Sequence, residues 1–329
     1  MYRRTLIGAS IAAPFIIPSA RAAELTLKLA SFATDQSSWG RAQTIFKNEI
    51  EKRTDKRIEV AIFNNNTLGS NREALELARR GRVDLVLTGV SHATRNVSQL
   101  NALIFPYLFK DRDTMFSLLD GSIGAKLDKM MLAQNLSAVG WWDNGFRHVS
   151  NSKRPIISAS DIQGLKLRTL PTPVHVDFFK KIGAIPTAMD FSELLSALRQ
   201  GVIDGQENPP AVMGSFRIYE VQKYYSLTGH ANEPMVMVAS DQTLKKIPSA
   251  LMPAFKAAMA EATSYQRSIN AQEETQNMET LRKSMQVNTI SAGALTAFRS
   301  AAQLVYGPAI LTLGTGGEEL VADIVKANT

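Results

Sequence analysis

The chain has 329 residues, of which 45% are hydrophobic and 20% charged, a composition typical of a globular protein with two domains or one large one. It contains no cysteine, which excludes disulfides, thiolate catalysis and cysteine-ligated metals. The formal net charge of +7 favours anionic ligands, but no dense Lys/Arg stripe with interleaved aromatic residues indicates nucleic-acid binding.

The first 22 residues have the layout of a secretory signal peptide. Two arginines precede a short apolar run, Leu6 to Ile17, and Ala20-Arg21-Ala22 matches the A-x-A pattern of a cleavage site. The apolar run is too short to span a bilayer. We therefore predict export without a membrane anchor and a mature chain that begins at Ala23. The RRTLIG sequence also resembles a twin-arginine signal, although the ordinary secretory route is favoured.

Strand and helix patterns alternate after the predicted cleavage site. Apolar runs rich in β-branched residues predict strands, and apolar residues at helical spacing predict the helices between them. The segments are strand Leu25–Phe32, helix Ser37–Arg53, strand Ile58–Phe63, helix Asn71–Arg80 with Asn71 as its cap, and strand Val83–Gly89. This rhythm is typical of an open parallel α/β sheet.

The same rhythm returns later in the chain, with strand Leu165–Leu170, helix Pro173–Ile182, strand Ala184–Met189 and helix Phe191–Gln200. The stretches REALELARRGRVD (72–84) and SELLSALRQGVID (192–204) align as a helix, a glycine and the entry to a strand. Junctions of a helix, a glycine and a strand have similar sequences for local structural reasons, so two such stretches can match by chance. Because the surrounding strand order also matches, we predict two similar lobes.

A long helix is predicted near the end of the chain. No glycine or proline occurs from Ala254 to Gln286, and about 30 helical residues would span about 45 Å, enough to brace two lobes. A break near Asn270 that gives two helices is an equally good reading. A strand at Met235–Ser240 precedes this segment, and a strand at Val287–Ile290 and a helix at Glu318–Ala327 follow it.

The sequence has few signs of catalysis or of a bound cofactor. There is no G-x-S-x-G elbow, and the four histidines lie in unrelated contexts with no metal-ligand spacing. The glycine-rich GTGGEE stretch (314–319) lacks the lysine of a phosphate loop, so it predicts a plain turn. We expect no catalytic residue, no metal and no cofactor.

Three polar residues stand at the junctions of the later elements. Arg147 follows the Asn144-Gly145 turn, Arg168 lies inside an apolar strand, and Asn208 lies in the DGQENPP loop. Ligands bind at such strand ends in open α/β sheets, and two guanidiniums with an amide suit a carboxylate. Phe191 and the Trp141-Trp142 pair are candidate walls of the pocket. Arg168 could instead pair with Asp161 or Asp177, and Arg147 could be a surface residue.

Longer stretches of the chain resemble a known family. WWDNGFRHVSNSKRPI, LGSNREALELARRGRVDL and the GLKLR and DGQENP elements are similar to the DctP-type solute-binding proteins of tripartite ATP-independent periplasmic (TRAP) transporters. This resemblance implies an α/β periplasmic-binding-protein fold with two lobes, a hinge, a ligand cleft and a long interlobe helix. It also implies periplasmic location and delivery of the ligand to the small and large membrane permease subunits.

The resemblance also assigns residues. Arg168 corresponds to the arginine that pairs with the ligand carboxylate, while Arg147 assists it, Asn208 is the asparagine of QENP and Phe191 lines the cleft. Further candidates for ligand contact are Glu73, His92, Trp142, Asn144 and Glu233, with Phe32. We expect residues 23–144 and 233–272 to form lobe I and residues 145–232 and 273–329 to form lobe II.

The ligand is predicted to be a small organic acid. Polar residues such as His148 and Asn232 near the cleft favour a hydroxylated monocarboxylate, an aldonate or uronate. A four-carbon dicarboxylate such as succinate, malate or fumarate is the alternative, and it would need a second cation such as Arg72 or Arg95. An enzyme acting on a carboxylated substrate is disfavoured because no catalytic constellation appears. An anion-binding structural or adhesive protein is disfavoured because the cleft motif is intact.

Overall fold

The computed structural model describes residues 23–327, so the predicted signal peptide lies outside the described residues. The strands are β1 (Leu25–Ser31), β2 (Ile58–Phe63), β3 (Leu85–Gly89), β4 (Leu136–Trp142), β5 (Phe146–Asn151), β6 (Lys166–Thr169), β7 (Ile185–Ala188), β8 (Gly205–Asn208), β9 (Tyr224–Asn232), β10 (Met235–Ser240) and β11 (Gln286–Thr289).

The helices connect and cover these strands. They are α1 (Ser38–Arg53), α2 (Asn71–Arg79), α3 (Val90–Ala93), α4 (Arg112–Leu119), α5 (Ser122–Leu132), α6 (Pro173–Lys181), α7 (Leu194–Arg199), α8 (Pro210–Ser215), α9 (Asp241–Lys246), α10 (Met252–Ser284), α11 (Ala292–Leu311) and α12 (Gly317–Ala327). Short 3₁₀ turns lie at 98–104, 159–162, 191–193, 218–220 and 249–251.

Two sheets organise the molecule into two α/β lobes. The first sheet has the strand order β2-β1-β3-β10-β4 and the second has the order β11-β9-β5-β8-β6-β7. In the first sheet β1 runs parallel to β2 and β3, and β10 runs antiparallel to its neighbours. The fold is therefore the predicted two-lobed α/β architecture, although each sheet also contains antiparallel strands.

The order of strands repeats between the two sheets. Five strands of the second sheet, β7-β6-β8-β5-β9, correspond in position to β2-β1-β3-β10-β4 of the first. In each sheet the strand beside the parallel trio runs antiparallel to it, β10 against β3 and β5 against β8. The chain crosses between the sheets three times: after β4, after β9, so that β10 returns to the first sheet, and through α10 to β11 of the second.

The internal repeat read from the sequence has a structural basis. Gly81 and Gly201 end α2 and α7 with φ angles of +66° and +69°, a conformation that glycine adopts without strain. The aspartates that follow make the same contact, because the Asp84 carboxylate accepts a hydrogen bond from the Lys28 amide at 2.8 Å and Asp204 accepts one from Lys166 at 2.9 Å. Each aspartate thus ties the entry of one strand to its parallel neighbour.

The long helix is continuous, as the uninterrupted sequence predicted. α10 packs against α1 and β4 of the first lobe and against α8 and β11 of the second. At the first crossing, the Asp143 carbonyl accepts hydrogen bonds from the Gln266 amide at 2.8 Å and from the Trp39 indole at 2.9 Å. Asn270 donates to the Asp143 carboxylate at 2.7 Å. A break near Asn270 is therefore wrong, because this residue anchors the helix to the crossing.

Some local predictions differ from the structure. The cap of α2 is Ser70, one residue before the predicted Asn71, because Ser70 and Glu73 form a reciprocal capping box. Helices α4, α5 and α11 had no counterpart in the sequence reading. The lobe boundaries stay a prediction, and α12, which was assigned to lobe II, packs against α4 and α5.

Within the residues described, no helix combines the length and apolar character needed to cross a membrane.

A buried histidine joins the two lobes. The His175 ring lies on α6, is fully buried, and its Nε2 shares a 2.8 Å hydrogen bond with the Ile104 carbonyl in the 98–104 turn. A carbonyl only accepts, so Nε2 carries the proton and Nδ1 is left as a buried acceptor with no partner among the described residues. Burial lowers the pKa of His175 from 6.5 to about 4.

We expect His175 to make folding stability depend on pH. The unfolded chain binds a proton at this group below about pH 6.5 and the folded chain does not, so stability is present at neutral pH and is lost as pH falls. His175→Gln retains a donor for the Ile104 carbonyl but cannot titrate. Urea unfolding from pH 6.5 to pH 5 should show a fall in unfolding free energy about 1.5 kcal/mol smaller in H175Q than in the wild type. Equal falls in the two proteins would contradict this assignment.

Candidate functional site

A polar cavity lies between the two lobes, where β3, β6 and β8 end and β5 and β10 begin. About 340 Å³ of empty space lies within this cavity and at its opening to solvent. The lining residues are Phe32, Asn71, Gly89, His92, Asn144, Arg147, Arg168, Leu170, Phe191, Asn208, Val212, Glu233 and Met235. Strands of both sheets therefore contribute to one site.

Arg168 is a buried cation without an anionic partner. Its side chain is 1% exposed, and its Nε donates to the Met189 carbonyl at 3.0 Å. Among residues 23–327 no carboxylate forms an ion pair with this guanidinium. The alternative partners are engaged elsewhere, since the Asp161 carboxylate accepts from the backbone of Ile157 at 2.9 Å and Asp177 is exposed.

The environment of Arg168 disfavours its charge. Burial, the largest effect, lowers its pKa from 12.5 to about 10, and the nearby Arg147 adds to the decrease. The guanidinium nevertheless stays protonated at neutral pH. A buried positive charge is costly unless an anion meets it, so this position is prepared for an anionic group.

Arg147 has the opposite environment, although it too is only 1% exposed. Its Nε and Nη2 donate to the Glu207 carboxylate, Nη2 also donates to the Glu207 carbonyl, and Nη1 donates to Glu233 at 3.0 Å. Four of its five N–H groups are thus occupied, and one on Nη1 is left for a ligand. The surface position considered for Arg147 is wrong.

Glu207 and His230 complete a buried network behind Arg147. His230 Nε2 lies 3.1 Å from the Glu207 carboxylate, and Nδ1 lies 2.8 Å from the Thr228 hydroxyl. Although burial opposes ionisation, Arg147 and His230 hold the pKa of Glu207 below its ordinary value. Burial lowers the pKa of His230, which stays neutral at pH 7. Glu207 is therefore an ionised carboxylate whose positive partner is Arg147.

Three possible metal donors lie close together in this network. Ligand atoms of His175, Glu207 and His230 are within 4.8 Å of one another. Arg147 already donates to both carboxylate oxygens of Glu207, so a cation beside that carboxylate is supplied by the protein itself. We assign this cluster to the support of Arg147.

Amide side chains add neutral hydrogen-bonding groups. Asn208 donates to Gln206, and its backbone carbonyl accepts a hydrogen bond from the Tyr225 hydroxyl at 2.9 Å. Asn144 is 2% exposed, and its Oδ1 has no partner among the described residues. Buried amides are normally satisfied, so an unpaired oxygen on the cavity wall suits a ligand donor.

Aromatic rings form one wall of the cavity. Phe191 packs edge-on against Phe216, with ring centroids 4.8 Å apart, and against Phe32 at 6.0 Å. Phe32 in turn contacts Trp39 at 5.5 Å. Phe191 follows β7 of the second lobe and Phe32 follows β1 of the first, so this wall brings the two lobes together beside the cavity.

The first lobe adds His92 to the cavity, and the second crossing adds Glu233. Burial lowers the pKa of His92, so this side chain is neutral at pH 7. The Glu233 carboxylate accepts from the Ser91 amide at 3.1 Å as well as from Arg147. Arg72 and Arg95, the cations considered for a second ligand carboxylate, are exposed and do not line the cavity.

Two candidate residues lie away from the cavity. Glu73 is exposed and accepts from the Ser70 amide at 2.8 Å, so it caps α2. Trp142 is fully buried, and its indole donates to Thr263 on α10 at 2.9 Å.

The sequence analysis did not predict the structural roles of Glu207 and His230. The QENP sequence marks the region of Glu207, but no local pattern links it to a histidine 23 residues further on.

The two lobes and the cavity between them define a solute-binding protein. The family model for bacterial extracellular solute-binding protein, family 7 (DctP), matches residues 29–310, and the chain belongs to this family. The resemblance to the TRAP transporter receptors is confirmed. The Escherichia coli 2,3-diketo-L-gulonate-binding periplasmic protein YiaO is 30% identical over 238 residues, covering 72% of this chain and 73% of the relative.

Solved structures share the fold along almost the whole chain. The TRAP periplasmic solute-binding protein of Polaromonas sp. JS666, bound to D-erythronate, has 38% identity and a TM-score of 0.86, covering 92% of this chain and 98% of that chain. The corresponding protein of Sulfurospirillum deleyianum, with bound succinate, has 28% identity and a TM-score of 0.87, covering 92% and 98%. Similar proteins thus bind both a sugar acid and a dicarboxylate.

The two arginines should respond differently to the same substitution. Arg147→Met leaves Glu207 and Glu233 buried without their cation, so the unfolding free energy should fall by about 3–5 kcal/mol. Arg168→Met removes a buried charge that has no partner, so the ligand-free protein should be as stable as the wild type or more so. Chemical denaturation of the ligand-free proteins measures both values. A stable R147M variant, or an R168M variant as damaged as R147M, would contradict the assignment.

Proposed function

We propose that the protein is a TRAP transporter receptor that binds a hydroxylated monocarboxylate, an aldonate or uronate, and delivers it to a membrane permease. The single observation that carries this proposal is the buried, unpaired guanidinium of Arg168 on the cavity wall. A ligand carboxylate would meet the two outer nitrogens of Arg168 in the bidentate geometry that arginine favours. The remaining N–H of Arg147 and the amide of Asn208 would assist.

Ligand binding would be coupled to closure of the lobes. The cavity takes Arg147, Arg168 and Asn208 from the second sheet, while His92 and Phe32 come from the first lobe. A ligand that touches both sides stabilises the closed arrangement relative to an open one. As water leaves, the ion pair at Arg168 gains strength in the lower dielectric. The three passages of the chain between the sheets, after β4, after β9 and through α10, are the segments we propose as the hinge.

The choice of a monocarboxylate is supported by the charges of the wall. Arg168 is a cation without a counter-ion, whereas Arg147 is already matched by two carboxylates. The described first-lobe residues that line the cavity add no positive charge at pH 7, because His92 is neutral. The uncommitted Asn144 oxygen and the Glu233 carboxylate suit ligand hydroxyls. The relative that binds diketogulonate and the neighbour with bound erythronate favour the same class.

A four-carbon dicarboxylate is the second candidate, because a neighbour of similar fold holds succinate. We also propose that the protein works in the periplasm after removal of residues 1–22, and that its partners are the permease subunits. We infer binding without turnover, since the described residues that line the cavity include no pair poised as acid and base or as nucleophile and base.

Arg168 should be required for binding and not for folding. Two charge-assisted hydrogen bonds are lost in Arg168→Met, so affinity for the best sugar acid should fall by about 100-fold or more. Isothermal titration and the ligand-induced rise in melting temperature measure this loss. Arg72→Met, which removes an exposed cation outside the cavity, is the matched control. Near-wild-type affinity in R168M would remove the proposed function.

The receptor and enzyme readings differ in the fate of the ligand. We expect the purified mature protein, incubated for hours with an excess of the acid that raises its melting temperature most, to release that acid unchanged and in one-to-one stoichiometry on denaturation. Mass spectrometry of the released ligand and of the medium makes the measurement. A new product that accumulates in the wild type and is absent in R168M would indicate an enzyme.

A further inference from the structure

The carboxylate of Glu233 occupies a fixed position on the cavity wall. The residue is 3% exposed and lies at the second crossing, between β9 and β10. Its oxygens accept from Arg147 Nη1 at 3.0 Å and from the Ser91 amide at 3.1 Å. A carboxylate has about four acceptor positions, so acceptor capacity remains for a ligand.

A glycine makes room for this carboxylate. A Cβ atom on Gly89 would lie 2.6 Å from Glu233 Oε1, closer than any ordinary contact. The φ angle of Gly89 is −67°, a value that any residue adopts, so the backbone conformation does not require glycine here. Glycine is required at position 89 because the Glu233 side chain occupies the space that a Cβ atom would fill.

Glu233 also changes the balance of charge around the ligand. Glu207, which binds Arg147 from behind, already balances the charge of that guanidinium. Glu233 adds a second negative charge on the cavity side. The cavity then offers one cation, Arg168, to an incoming acid. Removing the charge of Glu233 would leave two arginines facing a single internal carboxylate.

We propose that Glu233 is a specificity-determining residue that restricts the ligand to one carboxylate, by accepting a hydrogen bond from a ligand hydroxyl where a second carboxylate would be repelled. This inference rests on the proposed function. A hydroxyl donates to the carboxylate, whereas a second carboxylate brings a like charge into a buried site and has no proton to donate. A site that repels the second carboxylate, or leaves it without a hydrogen-bond partner, discriminates between the two ligand classes more strongly than a site that differs in shape alone.

Matched ligand pairs test the proposal. D-Erythronate and meso-tartrate share a four-carbon skeleton and differ in one terminal group, a CH₂OH or a second carboxylate; D-galactonate and galactarate differ in the same way at six carbons. We expect the wild type to bind the monocarboxylate of its preferred pair at least 10-fold more tightly by isothermal titration. Glu233→Gln should reduce that ratio at least 10-fold, mainly through tighter binding of the dicarboxylate.

Two further variants serve as controls. Glu261→Gln changes the same charge at an exposed residue that pairs with Arg53 on the surface, and it should keep the wild-type ratio. Gly89→Ala displaces the Glu233 carboxylate without changing any charge, and it should weaken the discrimination as well. If E233Q fails to fold, G89A still tests the role of the Glu233 carboxylate. The ratio of the two affinities in the wild type can be measured without any variant.

The outcomes separate the two proposals. A wild type that binds both members of a pair equally, or prefers the dicarboxylate, overturns the role of Glu233 and leaves a receptor for organic acids. An unchanged ratio in E233Q or G89A overturns it too. Wild-type protein that binds neither member of either pair removes the aldonate as the ligand class of the proposed function, and the inference falls with it.

Discussion

The positive charge of Arg168, buried without a carboxylate, is the constraint that gives the site its meaning. Two arginines lie on the same cavity wall with equal exposure. Arg147 is held by Glu207 and Glu233, whereas Arg168 donates to the Met189 carbonyl and pairs with no carboxylate among residues 23–327. If both arginines served only the stability of the fold, each guanidinium would be paired with a carboxylate. The asymmetry instead separates a structural cation from one whose partner comes from outside the chain.

Local patterns predicted much of the fold. The helix-glycine-strand junctions were visible because Gly81 and Gly201 adopt positive φ and because Asp84 and Asp204 make matching backbone contacts. No local pattern in the sequence predicted that β10 joins the first sheet, because its pairing with β3 connects residues about 150 positions apart. Helix α11 was missed because it contains Gly307 and Pro308, which locally resemble a helix end.

The site was less accessible to sequence reasoning than the fold. Arg168 was identifiable as a charge inside an apolar strand, and the structure places it in one cavity with Arg147 and Asn208. Glu73 was read as a ligand residue although the SNRE sequence already spells the S-x-x-E capping box. The pairing of Arg147 with two distant carboxylates could not be read, because it depends on side chains that only the tertiary fold brings together. The ligand contacts themselves stay predictions.

The return of the chain to the first sheet after β9 has a consequence for how the molecule is made. β3 receives its antiparallel neighbour only from residues 235–240, which follow the whole central part of the second sheet in the sequence. An amino-terminal fragment that ends before residue 235 therefore lacks an internal strand of the first sheet. Because pairing between distant segments slows folding, we expect the first sheet to be completed late, after β5 to β9 of the second sheet have been synthesised.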